Sequence, residues 1–100
     1  MAFTSAIIKW KIFALDKPEP HLQLSFECAD GLLVKNLYLK HPNRKYTIKF
    51  LSEINATGSF RTLDDLQAII RLANFRPVSV EWAYSQQGDK QIIKIFRQYS

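Results

Sequence analysis

Cysteine occurs once in the 100 residues, at Cys28, so no internal disulfide can form, as expected in a reducing compartment. Glycine occurs three times, at Gly31, Gly58 and Gly88, always singly. That excludes the glycine-rich loops whose backbone N–H groups cradle phosphates. Two histidines and one cysteine, without Cys-x-x-Cys or His-x-x-x-His spacing, leave no ordinary zinc-ligand set. Asp64 and Asp65 are neighbours in an expected helix, so their side chains diverge rather than converging as an acid–base pair. Serine, histidine and aspartate occur without a nucleophile-elbow context. The expectation is a non-enzyme with no cofactor and no metal. No apolar run approaches the ~20 residues of a membrane helix. The run Phe13 to Leu15 is also far short of a signal-peptide core of about 7–15 residues. A cytoplasmic protein with no membrane partner is expected.

What the chain does contain is apolar and aromatic. Hydrophobic residues make up 47%, with Trp10, Trp82, seven Phe and four Tyr, which is incompatible with a disordered chain and sufficient for one core. There is no internal repeat, linker or low-complexity tract, so residues 1–100 read as a single domain. The net charge of +5 favours an anionic partner such as nucleic acid, an acidic protein or a membrane surface. The first fifty residues hold +4 of it.

Periodicity gives the elements. Ala6 to Leu15 alternates, with Ile8, Trp10, Ile12 and Ala14 on one face and Ile7, Lys9, Lys11 and Phe13 on the other. Pro18 and Pro20 end that strand. His21 to Cys28 alternates cleanly through Leu22, Leu24, Phe26 and Cys28. Asp30-Gly31 is a hairpin signal, because both residues tolerate positive φ. Leu32 to Lys40 is the return strand. Tyr46, Phe50, Leu51 and Ile54 then lie on one helical face, stopped by Asn55 to Gly58. Thr62 can cap a second helix, with Asp64 and Asp65 complementing its dipole and Asn74 ending it. Val78, Val80, Trp82 and Tyr84 form one face of a fourth strand. Gln86 to Asp89 turns into a fifth, Gln91 to Gln98, with Ile93 and Ile95 opposite Ile92, Lys94 and Phe96.

The order β-β-β-α-(α)-β-β predicts a mainly β fold, a five-stranded OB-type barrel with a helical connection between strands three and four. Such barrels bind oligonucleotides on the face of strands two and three. In Phe26-Glu27-Cys28, the Asp30-Gly31 turn, Leu37-Tyr38-Leu39, the helix Tyr46–Ile54 with Gly58, Leu63-Asp64-Asp65-Leu66 and the ending Ile93…Phe96, the chain also resembles a known family. These are the small single-stranded-DNA-binding OB proteins of phages and mobile elements. The resemblance covers most of the chain as a pattern of apolar positions and turns. It implies a non-catalytic binder of single-stranded DNA, with RNA as an alternative, acting in DNA replication or recombination. It admits a homo-oligomer and replication or recombination proteins as partners. Many such proteins recruit partners through an acidic C-terminal tail. The ending Arg97-Gln98-Tyr99-Ser100 is not acidic, so that recruitment is not expected.

Single strands are held by cations along phosphates and rings stacked on bases. The residues expected to supply them are Lys9, Lys11 and Phe13 on strand one, Asn36, Tyr38 and Lys40 on strand three, and Lys94 and Phe96 on strand five. Arg44 and Lys45 stand in a basic segment leading into a helix N-terminus, where a phosphate can be received. Lys90 follows the loop between strands four and five, one that OB proteins use for ligands. Lys9, Lys11, Tyr38 and Lys40 are expected on one concave surface. A plainer account remains open: the lysines solvate a barrel exterior, Phe13 and Phe96 cap the core, and the domain is a protein-interaction or inhibitor module. Trp10 and Trp82 share register with aliphatic neighbours and are placed in the core. Tyr84, at a strand end, suits either role.

Overall fold

A computed structural model describes residues 1–98. The fold is mainly β, with five antiparallel strands and two helices in the OB-type order. The elements are β1 (Phe3–Leu15), β2 (His21–Cys28), β3 (Gly31–Tyr38), α1 (Arg44–Glu53), α2 (Leu63–Leu72), β4 (Pro77–Tyr84) and β5 (Lys90–Arg97). The sheet order is β3-β2-β1-β4-β5, with both helices in the connection from β3 to β4. No helix is long and apolar enough to cross a membrane among the described residues.

Two compact units divide the chain. A sheet unit holds Met1–Lys11, Ser25–Lys35 and Arg76–Ser100, and a helical unit holds Ile12–Leu24 and Asn36–Phe75. β1, β2 and β3 each contribute residues to both.

In the helical unit the expected periodicities largely hold. Leu22, Leu24, Leu37 and Leu39 are buried from the strands, with Phe50, Leu51, Ile54, Phe60, Leu66, Ile69, Ile70 and Phe75 from the helices and their flanks. One position of the first helical face differs. Tyr46 is exposed and Thr47 is buried in its place, setting the face at Thr47, Phe50, Leu51 and Ile54. A hydroxyl can be buried there because Thr47 Oγ1 donates to the Tyr38 carbonyl at 2.8 Å. The second helix begins as its sequence predicts. Thr62 Oγ1 accepts from the Asp65 amide at 3.1 Å, and the Asp65 carboxylate accepts from the Thr62 amide at 3.2 Å. The Arg61 amide, donating at 3.0 Å, then the Thr62 amide and side chain, hold the Asp65 carboxyl below its ordinary value. Asn55 and Asn74 follow the two helices at positive φ, a conformation asparagine adopts more readily than most residues.

The sheet unit departs further from simple alternation. On β1 Ser5 is buried and Ile7 half-buried, but the next half-buried residue is Trp10, so the inward parity slips by one between them. Ile8, expected in the core, is therefore 66% exposed, and Trp10 is only half-buried. Register shifts between β4 and β5 do the same at Pro77/Ser79 and at Glu81/Trp82. Val78 and Ile93 are exposed as a result, while Ile92 and Ile95 turn half-inward opposite Trp82 and Val80. Trp82 is buried, as its register predicts.

Candidate functional site

The expected site residues divide between the units: Lys9, Lys11, Lys90, Lys94 and Phe96 lie in the sheet unit. Phe13, Asn36, Tyr38, Lys40, Arg44 and Lys45 lie in the helical unit. Of the four residues expected on one concave surface, Lys9 and Lys11 belong to the first and Tyr38 and Lys40 to the second.

In the helical unit Arg44 has a structural task. Its guanidinium donates to the Leu39 carbonyl at 2.7 Å and the Phe60 carbonyl at 2.9 Å, and stacks 3.9 Å over the Phe60 ring. That is a staple between the chain entering α1 and the loop before α2. Lys45 is exposed, with Nζ 5.2 Å from the centre of the exposed Tyr46 ring. Tyr38 is half-buried, its ring 5.1 Å from that of the buried His21, whose Nδ1 lies 2.7 Å from the Glu19 carbonyl oxygen. The Asn36 side-chain oxygen accepts from Gln23 at 3.4 Å. Phe13 and Lys40 are exposed, Lys40 just beyond the end of β3.

In the sheet unit Lys9 pairs with Glu27 at 3.3 Å, both side chains being largely in water, so the pair is weak and readily exchanged for another anion. Lys11 is exposed. Lys94 lies opposite Glu81 in the β4–β5 register, with Nζ 5.0 Å from the ring of the partly exposed Phe96.

The sheet unit also assembles a group that strand-by-strand reading does not reveal. Register sets Phe3 opposite Trp82 and Tyr84 opposite Lys90. The Phe3 ring stacks on Trp82 at 4.7 Å and 26°. Tyr84 stands edge-on to both, 5.3 Å from Trp82 at 86° and 6.1 Å from Phe3 at 79°. Lys90 Nζ lies 4.7 Å from the centre of the Trp82 ring. Beneath them the Trp82 indole N–H donates to Ser5 Oγ at 2.9 Å, and that hydroxyl donates to Asp30 Oδ2 at 3.0 Å. Gly31, with φ +138°, leaves room for the Lys90 ammonium, since a Cβ there would lie 3.2 Å from Nζ. The nearby Cys28 thiol is pushed up by burial and by Asp30, against the opposing pull of Lys90. Tyr84 at a strand end is the one signal for this cluster, since Phe3 precedes the expected first strand and meets Trp82 only through β1–β4 pairing.

No family model, curated protein or solved structure matches the chain.

Proposed function

We propose that this protein binds single-stranded nucleic acid, DNA in the first instance, without catalysing a reaction. The observation that supports this reading is the recurrence of an exposed lysine beside an accessible ring: Lys94 with Phe96 in the sheet unit, and Lys45 with Tyr46 in the helical unit. A ring supplies a face on which any base can stack, and the neighbouring ammonium meets the phosphate that accompanies it. The overall excess of +5 acts in the same direction, drawing a polyanion to the surface. The setting that goes with such an activity is DNA replication or recombination in the cytoplasm, for a phage or mobile element.

A titration of short oligopyrimidine DNA, the matching RNA and a duplex, each at two salt concentrations, tests the reading. Single strands should bind more tightly than the duplex, with about −0.7 in the log–log salt slope for each phosphate contacted. Duplex binding as tight as single-strand binding, or affinity indifferent to salt, would falsify it. One observation favours a second reading, a protein-interaction module: Ile8, Val78 and Ile93 are all exposed in the sheet unit.

A further inference from the structure

Tyr46 and Phe96 are single exposed rings, each beside a single lysine. The cluster at the start of β1 and the end of β4 differs, because three rings, a lysine and a supporting hydrogen-bond chain meet in one place. Phe3 remains 38% exposed and Tyr84 58% exposed, while Trp82 between them is buried. The cluster therefore has a hidden base and an accessible rim.

We propose that Phe3, Trp82, Tyr84 and Lys90 form a nucleobase-stacking site for one nucleotide of a single strand, with Lys90 meeting the adjoining phosphate. The proposal rests on the nucleic-acid reading above and names where in the sheet unit that reading is realised.

Geometry carries it first. The Phe3 and Tyr84 rings stand at 79° with centres 6.1 Å apart, so a flat ligand stacked on one lies nearly perpendicular to the other. Offset-stacked and edge-to-face contacts are the two arrangements aromatic rings prefer. The cluster is also held in place before any ligand arrives. Trp82 is fixed through Ser5 to Asp30, so the central ring cannot swing away from Phe3. The β4–β5 loop is tied to itself. Ser85 Oγ accepts from the Gln87 and Asp89 amides at 3.2 Å each, and the Ser85 amide donates to the Asp89 carbonyl at 2.7 Å. Tyr84 and Lys90 are thereby locked as cross-strand neighbours, and little ordering remains to oppose binding.

Charge then selects the ligand. β5 carries Lys90, Lys94 and Arg97 and no acidic residue. An apolar peptide would have no use for these cations, and a simple anion none for three rings. A nucleotide within a strand uses both. Three acids lie nearby: exposed Asp30 already receives the Ser5 hydroxyl, Asp89 precedes Lys90 in the chain, and Glu81 stands opposite Lys94.

The test uses the full chain and a labelled oligothymidine ~8 nucleotides long, within the range one OB-type domain covers. Tyr84→Ala should weaken binding by about five- to a hundredfold, while Tyr84→Phe, which keeps the ring, should bind like the wild type. Lys90→Gln should make the salt slope shallower by about 0.7. In a Trp10→Phe background the remaining indole, Trp82, should change its fluorescence as the strand is added. If Tyr84→Ala lowers the melting temperature, Tyr84→Leu replaces it, filling the position without a π face, and should lose affinity relative to Tyr84→Phe. The proposal is overturned if the wild type binds the strand but Tyr84→Leu and Lys90→Gln stay within twofold of it. In that event the wider reading stands and the strand lies elsewhere. A wild type that binds no strand removes the wider reading, and this one with it.

Discussion

The helical unit buries a larger share of its apolar residues than the sheet unit, although Phe13, Leu15, Tyr46, Ile48 and Leu72 are exposed in it. In the helical unit most large apolar side chains are buried, and the buried polar groups meet backbone: Thr47 the Tyr38 carbonyl and His21 the Glu19 carbonyl. In the sheet unit Phe3, Ile8, Leu32, Val34, Val78, Tyr84, Ile93 and Phe96 all reach solvent, around a core made mainly of Phe26, Leu33, Val80 and Trp82. Two periodicities account for part of the difference. Helices with a broad apolar stripe close over their partners. A strand whose parity slips, as β1 does between Ile7 and Trp10, turns apolar residues outward that alternation would have buried. Both units keep accessible rings, Phe13 and Tyr46 in one and Phe3, Tyr84 and Phe96 in the other, but the three-ring cluster belongs to the sheet unit.

The contrast can be broken most forcefully by removing matched apolar residues. Leu66→Ala in the helical unit should cost about 2–5 kcal/mol, read by chemical denaturation, because a fully buried leucine leaves a cavity. Ile8→Ala in the sheet unit should stay within about ±0.5 kcal/mol. Equal losses at the two positions would show that the two units do not differ in this way.

A middle-sized effect is expected where the sheet unit is tied by polar contacts instead. Ser5→Ala removes the acceptor of the Trp82 indole N–H and leaves that donor buried without its partner. The loss should be about 1–3 kcal/mol. A neutral result would mean that the Trp82 ring is held by Phe3 and Lys90 alone.

These expectations also mark what the sequence makes legible. The β2 alternation through Leu22, Leu24, Phe26 and Cys28, the Asp30-Gly31 turn and the Thr62 cap are local signals, and each appears in the structure where it was expected. The slip in β1 and the bulges against β5 are not local: they arise from how strands are paired, and no run of residues announces them. Thr47 escaped an apolar count because its burial depends on a carbonyl from another element. Sequence shows the charge of Arg44 and not the Leu39 and Phe60 carbonyls it meets. Phe3 lay outside the expected first strand altogether, so its contact with Trp82 could not be foreseen. Lys94 beside Phe96 was legible, since the two are two residues apart on one strand.

The smallest effect is expected at the surface of the helical unit. Thr62→Ala should cost about 1 kcal/mol near neutral pH, through loss of the α2 cap. Its partner gives this a pH signature. The Asp65 carboxyl is held below its ordinary 3.8 by the backbone donors of Arg61 and Thr62 and by the Thr62 side chain. A lowered folded value means that the contribution is fully present above 3.8 and fades as pH falls through the folded value. The difference in melting temperature between the wild type and Asp65→Asn should therefore shrink below pH 3.8. A difference that stays constant into acid would show that the carboxylate's charge plays no part in the cap.

Cys28 gives the sheet unit a clock. Its side chain is buried, and that burial, with Asp30 nearby, pushes the thiol further above its ordinary value and away from the reactive thiolate. A thiol reagent can reach it only during the brief intervals when β2 parts from its surroundings. Labelling is then slow for a reason that has nothing to do with the reagent. Its rate counts openings of the strand, and a ligand that grips the sheet unit should make those openings rarer.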